Sequence, residues 1–390
     1  MHRPKILSIV GTRPEAIKMA PVILELQRAV GRFEHVLVST AQHRQMLDPV
    51  FRAFHLGPAL DLNLMQPNQG LADFTARALT TLAHVFAEEA PDAILVQGDT
   101  TTVMTAALAA FYQRIPVGHI EAGLRTFDRH QPFPEEVNRR FVSAVGDWHF
   151  APTDRARTNL LREGVPPQFV FVTGNTIVDA LRLLPVEGDF ETVALRRLPL
   201  HGRRLVLVTA HRRENHGAPL QGICQAVRAL TEAFPDVAVI YPVHLNPNVQ
   251  SVVRAELGRC PRVHLTEPLA YPDLLRLMAR SHLILTDSGG IQEEAPSFHR
   301  PVLILRETTE RPEIIEVGAG RLVGTAPNRI VAEAGRLLSD PAEYVRMSHA
   351  RNPFGDGHAA RRIVEILGRV MGQAAPVSNA PCAEATPAAA

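Results

Sequence analysis

Carboxylates, arginines and histidines gather where short apolar runs of this chain end. The segment PVGHIEAGLRTFDRHQPFPEEVNRR begins as an apolar strand, then sets Glu121, Asp128, Glu135 and Glu136 among Arg125, Arg129, Arg139 and Arg140. Another carboxylate, Asp99, ends AILVQGD and precedes three threonines and an apolar helical pattern. Taken singly, Asp99 reads first as a helix N-cap. Glu135 stands where a helix start favours an acid anyway. Glu121 is harder to explain as a cap. Together Asp99, Glu121 and Glu135 are three carboxylates at strand ends. Carboxylates grouped in a partly closed cleft have shifted pKa values and serve as acid and base.

Anion-binding residue types occupy other strand ends. LVTAHRRENHG carries His211, Arg212, Arg213 and Glu214 just past an apolar run. Arginine's planar fork suits a phosphate. In HLILTDSGGIQEEAPSF a strand leads through Asp287, Ser288, Gly289 and Gly290 into a helix. Glycines there let the backbone approach a ligand, and a helix N-terminus offers unpaired N–H groups to a phosphate. A plain strand-to-helix turn accounts for the same letters. Glu294, about one turn into that helix, is placed to accept hydrogen bonds from ribose hydroxyls. In VGTRPEAIKMAP, Arg13 and Lys18 lie near a helix start, against the helix dipole. They make sense there facing a bound anion, and equally as solvated surface cations. YPVHLNPNV adds His244 and Asn246, of which a lone histidine is more often a satisfied polar residue. The turn at Gly11 is not the G-x-G-x-x-G fingerprint, and no HExxH, Walker A or G-x-S-x-G pattern occurs.

The elements that must hold these residues alternate. KILSIV, HVLVST, AILVQG, IPVGHI and WHFAPT read as strands, separated by amphipathic helical patterns at Pro14–Val30 and Leu71–Ala90. Pro14 suits a first helical position. The alternation restarts near Leu200 with RLVLVTA, VAVIYPV, RVHLTE, HLILTD and PVLILR. This predicts an α/β protein with two Rossmann-like, doubly wound domains and a ligand cleft between them. The first spans residues 1–175 and the second 176–354, with a Pro- and Gly-rich hinge region near the start of the second. A last helical pattern at Ala359–Gly372 has no strand after it, and the Ala- and Pro-rich tail 373–390 is expected to be disordered. A chain of 390 residues is long enough for two cores. Its net charge of +1 gives no field to recruit nucleic acid or an anionic membrane. The three cysteines are far apart, which suggests neither a zinc site nor a disulfide framework. No secretory pattern or membrane-spanning run is read, so a cytoplasmic location is expected.

The blocks GTRPEAIKMAP, TAQHRQMLD, QGDTTT, EAGLRT, PFPEEVNRR, GNTIVDAL, HRREN, PVHLNP, DSGGIQEEAP and LRETTERPE occur in this order. From about Lys5 to Gly372 the chain resembles the bacterial non-hydrolysing UDP-N-acetylglucosamine 2-epimerases. The resemblance implies a GT-B-type fold whose last helix, about 355–372, packs back on the first domain. It implies reversible epimerisation at C2 of UDP-GlcNAc to UDP-ManNAc, through elimination of UDP to 2-acetamidoglucal and re-addition, without a metal or a nicotinamide. It also implies a supply of ManNAc-derived sugars for cell-surface polysaccharide, and a homodimer. Carried over by motif, Asp99, Glu121 and Glu135 are the acid/base candidates, and His211 is both a catalytic and a binding candidate. Arg13, Lys18 and Arg139 would meet the diphosphate and sugar. Ser288, Gly289 and Gly290 would cradle phosphate, and Glu294 would hold ribose. A second UDP-GlcNAc as activator would involve Gln42, Gln45 and His244. Two positions depart from the family: Asn68, where a basic residue is frequent, and Phe127, where a glycine is common.

A GT-B glycosyltransferase would share the fold but need an acceptor. A hydrolysing epimerase would release free ManNAc. A silent UDP-sugar sensor would be expected to lose carboxylates or arginines that this chain keeps. A relative acting on a di-acetamido uronic acid nucleotide would differ by a few side chains.

Overall fold

The structure is a computed structural model and describes residues 3–41, 44–66 and 69–373, without the side chains of residues 44–46 and 373. Of the expected tail, 374–390 lie outside the described residues. The first half contributes β1 (Lys5–Val10), β2 (Glu34–Ser39), β3 (Leu60–Asp61), β4 (Ala93–Gln97), β5 (Val117–Ile120), β6 (Trp148–Ala151) and β7 (Val170–Val172). The second contributes β8 (Arg204–Thr209), β9 (Val237–Pro242), β10 (Val263–Thr266), β11 (Leu283–Thr286), β12 (Val302–Ile304) and β13 (Gly320–Leu322). The strands form one seven-stranded sheet, ordered β3-β2-β1-β4-β5-β6-β7, and one six-stranded sheet, ordered β10-β9-β8-β11-β12-β13. All pairings are parallel; Ile6 of β1, for example, lies between His35 and Ala93. The central strands are apolar on both faces because helices cover both, as in β4, where Ala93 to Val96 are inaccessible to solvent.

Each sheet reverses its winding once, between β1 and β4 and between β8 and β11. Ligands bind outside the carboxyl ends of strands at such switch points. At the first of them Gly11 follows β1. A Cβ there would stand 2.3 Å from the Thr102 hydroxyl and 2.6 Å from that of Thr40, so only glycine fits.

Several boundaries differ from the sequence reading. The first helix is Arg13–Arg28, so Pro14 is its second residue. Asp99 follows the fourth strand because the two-residue β3 precedes it. Asp99 is not the cap of the next helix, Thr101–Tyr112. Thr100 is, its hydroxyl accepting from the Val103 N–H at 3.4 Å. That frees the Asp99 carboxylate for another partner.

The last helix, Ala359–Gln373, packs on the Arg13–Arg28 and Thr176–Leu183 helices. Its start is capped from a distance: the Asp179 carboxylate accepts the N–H groups of Ala359 and Ala360 at 3.2 and 2.9 Å. The halves also meet where the Thr153 hydroxyl donates to Glu313 at 2.8 Å and Arg155 pairs with Glu316. Among the described residues, no helix is long and apolar enough to cross a membrane. Replacing Asp179 by alanine removes the distant cap and is expected to cost about 1–2 kcal/mol in urea unfolding. Amide exchange should then rise first in residues 359–373, and an unchanged exchange pattern would contradict the capping role.

Candidate active site

Glu121 follows β5 directly and adopts φ 66°, a left-handed conformation that is uncommon for a residue with a Cβ. That kink turns its carboxylate into a buried cluster. Lys18 Nζ and Gln97 Nε2 each donate to its Oε2 at 2.5 Å. Lys18 also reaches Glu293 Oε2 at 2.8 Å, and Arg311 holds Glu293 through its Nε at 2.7 Å. Arg311 Nη2 lies 3.9 Å from Glu121 Oε1. Lys18 and Glu121 belong to the first half, Glu293 and Arg311 to the second. Lys18 is therefore not a solvated surface cation, the alternative that its position near a helix start left open.

The cluster sets proton affinities in opposite directions. Burial pushes the Glu121 carboxyl up, and Glu293 adds to this, together outweighing Lys18 and Arg311. Burial also works against ionisation of Glu293, but Arg311 and Lys18 prevail and hold its carboxyl below the usual range. Glu121 is thus the carboxylate of the cluster readier to carry a proton.

Asp99 pairs with Arg139 Nη2 at 2.6 Å. Arg139 Nη1 is 3.1 Å from Glu136, whose carboxylate accepts the Thr126 and Phe127 N–H groups at 3.0 Å each. Glu136 so ties the loop after Glu121 to the helix Glu135–Val145. Phe127 adopts φ 65°, the region that favours glycine. Glu135 opens the helix, half-buried; burial raises its pKa, the charge of Asp99 adds to this, and Arg139 and Arg212 oppose it.

In the second half, Asp287 is buried beneath His211, and the His211 ring stacks on His244 with centroids 5.2 Å apart. Ser288 precedes the short helix Gly289–Glu294. Gly289 is required by a neighbour: a Cβ would stand 2.5 Å from Arg311 Nη1. Gly290 is open by comparison. Glu294 is buried and accepts a hydrogen bond from the Tyr271 hydroxyl at 2.9 Å. Burial pushes its carboxyl up to about 7. Arg13 is half-buried at the first switch point, and its charge acts on His211 and on Glu294. Gln42 and Asn68 lie outside the described residues, as does the side chain of Gln45. A cavity of about 680 Å³ opens between the halves, lined by Thr126, Asp128, Arg155, Arg306, Thr309 and Glu310 and by none of the candidate residues. It reaches the cluster through Glu310, which pairs with Arg311 at 2.6 Å.

Sequence reasoning quoted but did not assign Asp287, Glu293, Glu310 and Arg311. The available signal was adjacent acids inside a helix that must pack on a sheet, and arginines flanking a buried strand. Their partners are far away in sequence, so the pairing itself was not readable.

Two parallel sheets of one order, joined across a cluster of acids and bases at their switch points, define a GT-B-type fold suited to a nucleotide sugar. The profile of the UDP-N-acetylglucosamine 2-epimerase family matches residues 25–368. The chain belongs to that family of isomerases. It is 51% identical to the UDP-N-acetylglucosamine 2-epimerase of Bacillus subtilis over 368 residues, covering 94% of this chain and 96% of that one. The UDP-GlcNAc 2-epimerase of Neisseria meningitidis, solved bound to UDP-GlcNAc, superposes with a TM-score of 0.88 at 46% identity, over 94% of this chain and 100% of that one. The Methanocaldococcus jannaschii enzyme, in complex with UDP-GlcNAc and UDP, gives a TM-score of 0.79 at 35% identity, over 94% and 99%.

Glu294 makes stability depend on pH. Its folded pKa of about 7 stands above the ordinary 4.5, so its contribution is complete below about 4.5 and lost as pH rises through about 7. Relative to Glu294→Gln, the wild type should lose about 3 kcal/mol across that window. Urea unfolding of both proteins between pH 4.5 and 8 checks this; parallel curves would contradict it.

Proposed function

We propose that the protein interconverts UDP-GlcNAc and UDP-ManNAc by elimination and re-addition. The C1–O bond breaks and its electron pair leaves with the diphosphate, while a carboxylate takes the C2 proton. This gives UDP and 2-acetamidoglucal. Return of a proton to the other face of C2, with attack of UDP oxygen at C1, gives the epimer. The observation that carries the reading is Glu121: buried, raised in proton affinity, and clamped beside Lys18 and Arg311. A carboxyl whose proton affinity is raised in this way is suited to acid and base work.

In this reading Asp99, Glu121 and Glu135 serve the two faces of C2. Glu121 and Glu135 have raised pKa values, while Asp99 is ion-paired to Arg139. Arg13, Lys18, Arg139 and His211 meet the charge developing on the diphosphate and sugar. Ser288, Gly289 and Gly290 present backbone to phosphate, and Glu294 accepts ribose hydroxyls, which favours its ionised form. Each sheet with its helices acts as one domain, divided near residue 175, and the last helix belongs with the first. A second UDP-GlcNAc at His244, a homodimer, and a supply of ManNAc-derived sugars for surface polysaccharide complete the proposal.

Proton NMR with UDP-GlcNAc in D₂O tests it. The expected result is UDP-ManNAc carrying deuterium at C2; free ManNAc or unexchanged substrate would contradict it. Asp99→Asn, Glu121→Gln and Glu135→Gln should each lower turnover by about a hundredfold or more. Near wild-type turnover in all three folded variants would remove the assignment.

A further inference from the structure

Asp287 is fully buried at the end of β11, and its two oxygens are used very differently. Oδ2 accepts the backbone N–H groups of His211 and Arg212 at 2.7 and 2.8 Å and the Asn215 side-chain amide at 3.0 Å. Among the described residues Oδ1 has no hydrogen-bond partner, although it is inaccessible to solvent. Nδ1 of the His211 ring lies 3.5 Å from it. A buried carboxylate oxygen left without a donor is costly. A small rotation of the His211 ring would satisfy it, and such contacts tighten when a cleft is occupied. The ring is already confined: it stacks on His244 at an interplanar angle of 8°, and its backbone is pinned by the same carboxylate.

We infer that Asp287 is a positioning residue that fixes His211 with its proton on Nδ1 and presents Nε2 to the cleft. The inference deepens the proposed reaction and rests on His211 facing the diphosphate there. A histidine is a directional tool only if one tautomer is enforced, and a buried carboxylate on the far nitrogen enforces it. The same carboxylate favours the imidazolium, the form that donates to an oxygen gaining charge. The charged and titratable groups around the ring come from four directions: Asp287 from β11, His244 from beyond β9, Arg212 and His216 from its own loop, and Arg13 from the first helix. Burial lowers the His211 pKa and Asp287 opposes that, so Asp287 is the neighbour that keeps the cationic form accessible among two cations and a second imidazole.

Asp287→Asn separates tethering from tautomer control. The three donors on Oδ2 require an acceptor, so the asparagine oxygen must take that place. Its NH₂ group then faces Nδ1 and donates to it, which forces the ring proton onto Nε2. Protein labelled with ¹⁵N-histidine reports the tautomer in long-range ¹H–¹⁵N spectra, with the His211 signals assigned by their loss in His211→Gln. The wild type should carry its neutral-ring proton on Nδ1, and Asp287→Asn should carry it on Nε2 with a lower imidazolium midpoint. The kcat for UDP-GlcNAc epimerisation should fall at least about tenfold, with KM changed less than about threefold. A wild-type ring protonated on Nε2 would overturn the inference, and so would a variant with the switched tautomer and unchanged kcat. Should the variant fail to fold, the wild-type spectrum alone decides the tautomer. Because the ring signals are read without substrate, that result is separate from whether UDP-GlcNAc is turned over at all.

Discussion

Lys18 lies between two buried carboxylates that belong to different halves of the molecule, and the position of the catalytic candidates depends on that arrangement. Glu121 comes from the end of β5 and Glu293 from the short helix after β11. Arg311 completes the set by holding Glu293 and approaching Glu121. Buried charges are tolerated only when paired and hydrogen-bonded, and removing one partner leaves another charge stranded at a cost of about 3–5 kcal/mol. The cluster therefore specifies how the halves meet more than it adds net stability. It also leaves Glu121 with a raised proton affinity, because burial and the charge of Glu293 outweigh Lys18 and Arg311.

The two sheets make this meeting possible. Both have their first strand third from one edge and both change winding direction beside it, so each half offers one crevice at its strand ends. Acids line the first crevice, at Asp99 and Glu121. An imidazole, a guanidinium and backbone N–H groups line the second, at His211, Arg212 and the turn after Asp287. A nucleotide sugar has the matching polarity: a diphosphate to be neutralised and a carbon from which a proton must be removed. Asp287 and Glu136 serve these crevices from beneath, each spending one carboxylate on the backbone of the loop that carries functional side chains.

Much of this was legible in the sequence, for identifiable reasons. Long apolar runs such as KILSIV and RLVLVTA can only be strands covered on both faces, so the alternation and the two-sheet architecture followed. The strands β3, β7 and β13, of two or three residues each, were missed because so short a run carries no period. Asp99 read as a cap because capping residues look alike in sequence; the hydroxyl of Thr100, one residue on, takes that role. The ion pairs of Lys18 were not readable because its partners stand 103 and more positions away. The motif blocks fall on the segments that meet at the switch points, while the direction of each pKa shift came only from burial and long-range neighbours.

The most direct test is the pH dependence of C2 hydrogen exchange in wild type and Glu293→Gln. Glu293 raises the proton affinity of Glu121 by its own charge and by occupying Lys18 and Arg311. Its neutralisation should move the acidic limb of the exchange profile to lower pH in a protein that remains folded. An unshifted limb would mean that the cluster does not set the proton affinity of the reacting carboxylate, and the account built on it would fail.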